Sequence, residues 1–95
     1  MTSYMVTGVH AAARAGKTAK VVDYISKGGD VNKLDREKCS PLMWACWGGH
    51  LEIVTKLLEH GAQPNVFNEQ RASSLHWASW GGHLDIVRIL LTYNV

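Results

Sequence analysis

The central part of the chain carries leucine and valine at helical spacing. Leu51, Val54, Leu57 and Leu58 recur at i, i+3, i+6 and i+7, which places them on one face of a helix. A strand would instead alternate apolar and polar side chains with a period of two. Gly61 follows the last of these leucines, and glycine in this position favours the end of a helix. The pattern therefore predicts an amphipathic helix that ends before Gly61.

A second, shorter helix is predicted just before this one. Ser40 and Pro41 form a typical helix start, because serine caps the free amides and the missing N–H of proline costs nothing in the first turn. Gly48 and Gly49 end the helix, since glycine accepts the left-handed conformation that closes it. Two helices joined by a tight turn are the expected local structure.

The same helix pair occurs again further along the chain. The stretch SPLMWACWGGHLEIVTKLL begins at Ser40 and SSLHWASWGGHLDIVRILL begins at Ser73, and 13 of their 19 positions are identical. The same shift in the other direction aligns a more divergent copy, TGVHAAARAGKTAKVVDYI, in which Gly16 falls on Gly49. A fixed period of about 33 residues is typical of proteins built from stacked repeats.

We therefore predict an all-α solenoid of three helix-turn-helix repeats. The stretch between the second and third helix pairs is rich in Gln, Asn and Pro and predicts an extended loop or hairpin. The predicted first helices are about Tyr4–Ala15, Pro41–Gly48 and Ser74–Gly81, and the second helices about Thr18–Lys27, Leu51–His60 and Leu84–Tyr93. The predicted core consists of Leu42, Ala45, Ile53, Val54, Leu57, Leu58, Leu75, Ala78, Ile86, Val87, Leu90 and Leu91.

Residues 40–65, SPLMWACWGGHLEIVTKLLEHGAQPN, resemble the ankyrin repeat. That repeat is about 33 residues long and carries a T-P-L-H-x-A signature followed by a G-H-x-x-I-V-x-x-L-L-x-x-G-A stretch. The resemblance extends over essentially all 95 residues. It implies a single ankyrin-repeat domain over 1–95, with repeats at about 2–34, 35–67 and 68–95 joined by hairpin-like loops. Met43 and Ser74 depart from the signature, and the first copy, which keeps only His10 of it, resembles an N-terminal capping repeat.

Composition narrows the class of protein further. The 95 residues are 46% hydrophobic and 19% charged, which is typical of one folded domain. Ten basic and eight acidic residues are scattered without a run of one sign, so we expect no nucleic-acid binding. No apolar stretch approaches about 18 residues, which predicts no membrane insertion. Two cysteines are too few for a disulfide framework, so we expect an intracellular protein, cytoplasmic or nuclear.

The motifs that could carry chemistry are incomplete. Ala15-Gly16-Lys17-Thr18 matches the end of a phosphate-binding loop, but Ala11 replaces the first glycine and the preceding segment is helical instead of a strand. Cys39 and Cys46 are seven residues apart, unlike the short gaps that separate zinc ligands. The carboxylates are single and dispersed, so no acid–base pair is apparent. We therefore expect no enzyme activity, no cofactor and no metal ion.

The tryptophans carry more information, because all four lie in the first helices of repeats two and three. At about 100° per residue, these indoles point away from the paired second helix. In ankyrin-like stacks that side is the concave groove. We expect Trp44 and Trp77 to pack between repeats. We expect Trp47 and Trp80 to stay on the surface, in a short aromatic ladder with Arg14 as its first member.

Exposed aromatic and arginine side chains beside small residues are typical of protein interfaces. The resemblance places further partner contacts at the tips of the hairpins. The candidate partner-binding residues are thus Arg14, Trp47, Gly48, Trp80 and Gly81 in the groove, and Arg36, Glu37, Cys39, Glu69, Gln70 and Ala72 at the tips.

The leading functional prediction is a non-catalytic protein–protein interaction module that binds a partner protein in the groove and at the hairpin tips. The alternative is a recruiting fragment of a larger multidomain protein, such as an ankyrin-bearing enzyme or channel. The strings PLMWA and LLTYNV resemble the repeats of ankyrin-bearing palmitoyltransferases. Nucleotide binding through Lys17 is a third hypothesis. Because Ile89 occupies the position of Lys56 and Asp23 in earlier repeats, we also expect that the chain is either a fragment of a longer array or self-associates through an uncapped third repeat.

Overall fold

Six helices in three successive pairs form the described part of the chain, residues 8–93 of a computed structural model. Each pair is joined by a short turn, and longer loops connect one pair to the next. The helices are α1 (Gly8–Ala15), α2 (Thr18–Ser26), α3 (Pro41–Gly48), α4 (Leu51–Glu59), α5 (Ser74–Trp80) and α6 (Leu84–Thr92). The predicted all-α architecture of three helix-turn-helix units is confirmed.

The helix ends agree with the predicted bounds to within one residue where the structure describes them. The second helices end one residue early, because Lys27, His60 and Tyr93 are C-caps whose amides still donate to the last turn. In the same way α5 ends at Trp80, and Gly81 is its C-cap. The predicted start of the first helix, residues 4–7, lies outside the described residues.

Side-chain caps fix the starts of α3 and α5. The hydroxyl of Ser40 accepts a hydrogen bond from the amide of Met43 at 3.2 Å, directly before Pro41. In the third repeat the cap is reciprocal. The amide of His76 donates to the hydroxyl of Ser73, and the amide of Ser73 donates to Nδ1 of His76 at 3.1 Å. These caps satisfy amides that a helix start otherwise leaves unpaired.

The stack is held by one continuous core that runs through all three repeats. The first helices pack more closely on one another than the second helices do, so the stack curves towards α1, α3 and α5. Among the predicted core residues, Leu75 and Val87 are half-buried and pack against the core. The core includes Ala12, Val21, Leu42, Ala45, Cys46, Ile53, Val54, Leu57, Leu58, Ala78, Ile86 and Leu90.

The prediction that Leu91 belongs to the core is wrong, because its side chain is 54% exposed. Leu84, at the start of the same helix, is also exposed. Both lie on the side of α6 opposite to the buried Ile86 and Leu90, where no described helix covers them. The helical stripe of apolar residues is therefore wider than the face that α4 and α5 cover.

Polar contacts join neighbouring repeats at their edges. The ring N–H of His50 donates to the carbonyl oxygen of Arg14 at 2.9 Å. The side-chain amide of Asn32 donates to the carbonyl oxygen of Gly61 and accepts from the amide of Gln63. These bonds join the first repeat to the second. None of the helices in residues 8–93 is long and apolar enough to cross a membrane.

Candidate functional site

The concave side of the stack presents four indoles from α3 and α5. Trp44 and Trp77 are half-buried and pack against the core, as expected. Trp47 is 51% exposed and Trp80 is 72% exposed, so these two large rings lie on the surface. Trp47 and Trp80 lie on the same side of α3 and α5 as Trp44 and Trp77, but one turn further along, at the C-terminal ends of these helices.

Ring contacts connect three of the four indoles, in an arrangement that differs from the expected ladder. Trp44 contacts Trp77 edge-on, with ring centroids 5.2 Å apart, and Trp44 also contacts Trp47 at 6.0 Å. The prediction of a direct ladder between Trp47 and Trp80 is wrong, because within residues 8–93 the indole contacts run from Trp47 through Trp44 to Trp77 and do not reach Trp80. Trp80 contacts His76 instead, at 5.6 Å between centroids.

Arg14 belongs to this cluster, as the sequence predicted. Its guanidinium carbon lies 5.5 Å from the Trp44 ring centroid and 5.0 Å from the Trp47 ring centroid. Both distances fall within the range of cation–π attraction, in which a positive group is drawn to the negative face of an indole. Two indoles of α3 thus hold a cation from α1.

Asp35 is a member of the site that the sequence analysis missed. Its Oδ2 accepts a hydrogen bond from the indole N–H of Trp44 at 2.9 Å. Its Oδ1 accepts bonds from the amides of Glu37 and Cys39, which shape the loop before α3. The carboxylate therefore fixes both the loop and the ring of Trp44. The available signal in the sequence was an aspartate, a residue type that often caps turns with its side chain, shortly before the Ser-Pro helix start.

A pocket opens beside the outer indoles. It has a volume of about 360 Å³ and is lined by Trp47, Trp77, Trp80 and Gly81. We call it the tryptophan pocket. A larger cleft of about 840 Å³ runs along α1 and α2 of the first repeat, and its charged lining residues include the exposed Lys17 and Lys20. None of the predicted partner-binding residues lines that cleft, so the aromatic surface remains the candidate site.

The hairpin tips lie next to the concave side. Asn68 occupies the position of Asp35 one repeat later, and its Oδ1 accepts bonds from the amides of Gln70 and Ala72. The amide of Glu69 donates to the carbonyl oxygen of Glu37 at 3.1 Å and so links neighbouring tips. Side chains of the predicted tip residues Arg36, Glu69 and Gln70 are exposed, and that of Glu37 is half-buried.

Two predicted tip residues are not accessible. The side chain of Cys39 is 1% exposed and that of Ala72 is 3% exposed. Both precede the N-cap serine of a helix and pack under the loop, because the preceding Asp35 or Asn68 turns the chain inwards at this point. We therefore remove Cys39 and Ala72 from the candidate partner contacts.

A family model of ankyrin repeats, in three copies, matches residues 9–95. The chain belongs to the ankyrin repeat family. Ankyrin repeats are generally protein-interaction modules, and the family is typically non-catalytic. The match covers the three repeats that the sequence period predicts.

Gly48 and Gly81 are predicted partner contacts, but packing within the ankyrin stack also favours glycine at both positions. A Cβ on Gly48 would lie 2.6 Å from the carbonyl oxygen of Arg14 and 2.6 Å from the ring of His50. A Cβ on Gly81 would lie 2.5 Å from the ring of His83. Each glycine makes room for the histidine of its own repeat. Gly81 also lines the tryptophan pocket, whereas Gly48 is half-buried beside the Arg14 carbonyl of α1.

The ankyrin histidines act as structural groups. The ring N–H of His10 donates to the carbonyl oxygen of Lys33 at 2.7 Å, and His50 and His76 make the backbone contacts described above. Within residues 8–93, no three His, Cys, Asp or Glu side chains come together as metal ligands.

The turn after α1 does not offer a phosphate-binding loop. The amides of Gly16, Lys17 and Thr18 donate to the carbonyl oxygens of Ala13, Ala12 and Gly16, at 3.4, 2.9 and 3.0 Å. A phosphate would need such amides to point at it. The nucleotide hypothesis therefore has no support from the geometry of this turn.

Both cysteines are buried thiols and neither is in a disulfide. Burial raises the pKa of Cys39 to about 11 and that of Cys46 to about 12. The thiolate is the reactive form of cysteine, so a raised pKa makes both side chains poor nucleophiles near neutral pH. Neither thiol is suited to catalysis.

Proposed function

We propose that this ankyrin repeat chain binds another protein through its concave surface and catalyses no reaction. The main observation behind this proposal is that Trp47 and Trp80 are 51% and 72% exposed and line the same pocket. Interface cores are enriched in tryptophan and arginine, and Arg14 lies against Trp47. The same binding role applies if the chain acts as the recruiting part of a larger protein.

The area of exposed indole supports this proposal. A tryptophan side chain buries roughly 150 to 250 Å² when it is covered, at about 25 cal/mol per Å² of apolar surface. With 72% of Trp80 exposed, covering this ring alone is worth about 3 to 4 kcal/mol before the costs of association. Soluble proteins seldom keep such a patch without a binding use.

The hairpin tips would form the rim of the interface. Arg36, Glu69 and Gln70 carry exposed polar side chains beside the groove, and Glu37 is half-buried there. Rim residues exclude water and steer the partner, and most of them contribute little binding energy individually. We therefore propose the indoles as the main source of affinity and the tips as a source of specificity.

Two buried thiols that form no disulfide support a reducing compartment, so we propose an intracellular location, cytoplasmic or nuclear. The absence of catalysis is likewise part of the proposal. It is supported by the structural use of the histidines and by the raised pKa values of the thiols.

The experiment is affinity purification with the chain as bait, followed by measurement of Kd for the purified partner. We compare wild type with a Trp47→Ala, Trp80→Ala double variant. The matched control is Leu84→Ala with Leu91→Ala, which removes two exposed apolar side chains from α6 instead of the groove. We expect the tryptophan variant to weaken Kd by about thirtyfold or more, as loss of a hot-spot residue does.

The control variant should bind like wild type. Circular dichroism of both variants checks that the helices are intact. Equal binding by the tryptophan variant would contradict the proposal. Unfolding of the tryptophan variant would also contradict it, because it would show that these indoles are packing residues.

A further inference from the structure

The repeat symmetry relates the tryptophan pocket to a site that the chain already fills with its own arginine. A shift by one repeat, the shift that takes Ser40 to Ser73, moves Arg14 onto Trp47, Trp44 onto Trp77 and Trp47 onto Trp80. The guanidinium of Arg14 lies over Trp44 and Trp47 at 5.5 and 5.0 Å. In the next repeat Trp47 takes the sequence position of Arg14, and Trp47, Trp77, Trp80 and Gly81 together line an open pocket of about 360 Å³.

We propose that the tryptophan pocket binds an arginine side chain of the partner protein. This inference rests on the proposed function and names the chemistry of its central contact. The guanidinium would occupy the place over Trp77 and Trp80 that Arg14 occupies over Trp44 and Trp47.

Charge complementarity selects a cation for this pocket. The face of an indole carries negative electrostatic potential, and tryptophan attracts cations more strongly than the other aromatic side chains do. The lining residues Trp47, Trp77, Trp80 and Gly81 carry no charge of their own. Three indoles and a glycine thus line the pocket, and the structure places a cation, Arg14, against one of these rings, 5.0 Å from the Trp47 ring centroid.

The geometry favours guanidinium over a compact ammonium group. Guanidinium is planar and weakly hydrated, so it stacks on aromatic faces at a small desolvation cost. The inner ring is also held in place. Trp77 packs against Trp44 at 5.2 Å, and Trp44 is fixed by its bond to Asp35 at 2.9 Å. A preorganised inner wall reduces the entropy that binding would otherwise cost.

The test is an NMR titration with capped amino acids as probes. N-acetylarginine methylamide is added to ¹⁵N-labelled protein, and the four indole N–H signals are followed. The comparison probes are N-acetylleucine methylamide and tetramethylammonium chloride. We expect arginine to shift the signals of Trp47, Trp77 and Trp80 with saturation. The signal of Trp44 should shift least, because its N–H is bonded to Asp35.

Trp80→Leu separates cation binding from apolar contact. The substitution keeps an apolar side chain at a position that is 72% exposed, so the fold should be retained. It removes one ring face, and we expect the affinity for the arginine probe to fall about fivefold or more. Tyr93→Leu is the matched control, because it removes an exposed aromatic ring outside the pocket and should leave the titration unchanged.

The outcomes separate this inference from the proposed function. The arginine assignment would be overturned if the leucine probe bound as tightly as the arginine probe, or if tetramethylammonium bound more tightly. Neither result would contradict binding of a partner through Trp47 and Trp80. No saturable shift with arginine would overturn it as well. If the partner bound the double tryptophan variant normally, the proposed function would fail first, whatever the capped arginine did.

Discussion

Gly48 and Gly81 occupy equivalent positions in α3 and at the end of α5, yet the structure predicts different responses to the same substitution. A Cβ on Gly48 would meet the backbone oxygen of Arg14 at 2.6 Å as well as the ring of His50. A Cβ on Gly81 would meet only the ring of His83 closer than 3.4 Å. A side-chain ring can rotate away, whereas a backbone carbonyl in a packed helix cannot. Gly48→Ala should therefore destabilise the chain more than Gly81→Ala.

The magnitude follows from three contributions. Overpacking against the α1 backbone costs about 1 to 3 kcal/mol. Displacing His50 removes its bond to Arg14, which contributes about 0.5 to 1.5 kcal/mol. Alanine is the better helix former and returns at most about 1 kcal/mol. The net effect of Gly48→Ala is a loss of about 2 kcal/mol, which lowers Tm by about 8 to 16 °C. Gly81→Ala should stay within about 1 kcal/mol of wild type.

The assay is urea unfolding followed by circular dichroism at the helical band. A double-variant series sharpens it. In a His83→Ala background, Gly81→Ala should become neutral, because the only close contact of the new Cβ is gone. In a His50→Ala background, Gly48→Ala should still be destabilising, because the Arg14 carbonyl remains. The reasoning is refuted if Gly48→Ala is as stable as Gly81→Ala, or if removal of His50 restores it fully.

Further predictions concern the core, the thiols and the third repeat. Leu57→Ala should lower the free energy of unfolding by about 2 to 5 kcal/mol because it opens a cavity, whereas Leu91→Ala should change it by about 0.5 kcal/mol or less. Similar losses for the two variants in urea melts would contradict the burial pattern. Cys39 and Cys46 should react with a thiol reagent at pH 8 only after unfolding, because burial raises the pKa of these thiols to about 11 and 12 in the folded chain. The stability that the neutral thiols contribute is therefore complete below the unfolded pKa near 9, and it is lost as the pH rises from 9 towards 11 and 12. Sedimentation should show concentration-dependent self-association that Leu84→Lys with Leu91→Lys abolishes, and a monomer at all concentrations would disprove the role of this face.

The burial of the hairpin residues shows where local sequence stops being informative. Cys39 and Arg36 are close neighbours in one loop, and no local pattern separates a buried tip residue from an exposed one. The separation comes from Asp35, whose carboxylate accepts the amides of Glu37 and Cys39 and turns the chain inwards. The positive φ of 65° at Lys38 completes that turn. Such a turn depends on a side-chain acceptor whose use only the folded loop reveals.

The sequence by itself determined the repeat period, the helix pairs and the division between inner and outer indoles. These features depend on helical periodicity and on capping residues, both of which act within a few residues along the chain. The tertiary structure alone decided that Trp44 contacts Trp77 while Trp80 contacts His76, and that Leu91 stays exposed. Those outcomes depend on the distance and rotation between neighbouring repeats, because they involve side chains from helices that are far apart along the chain.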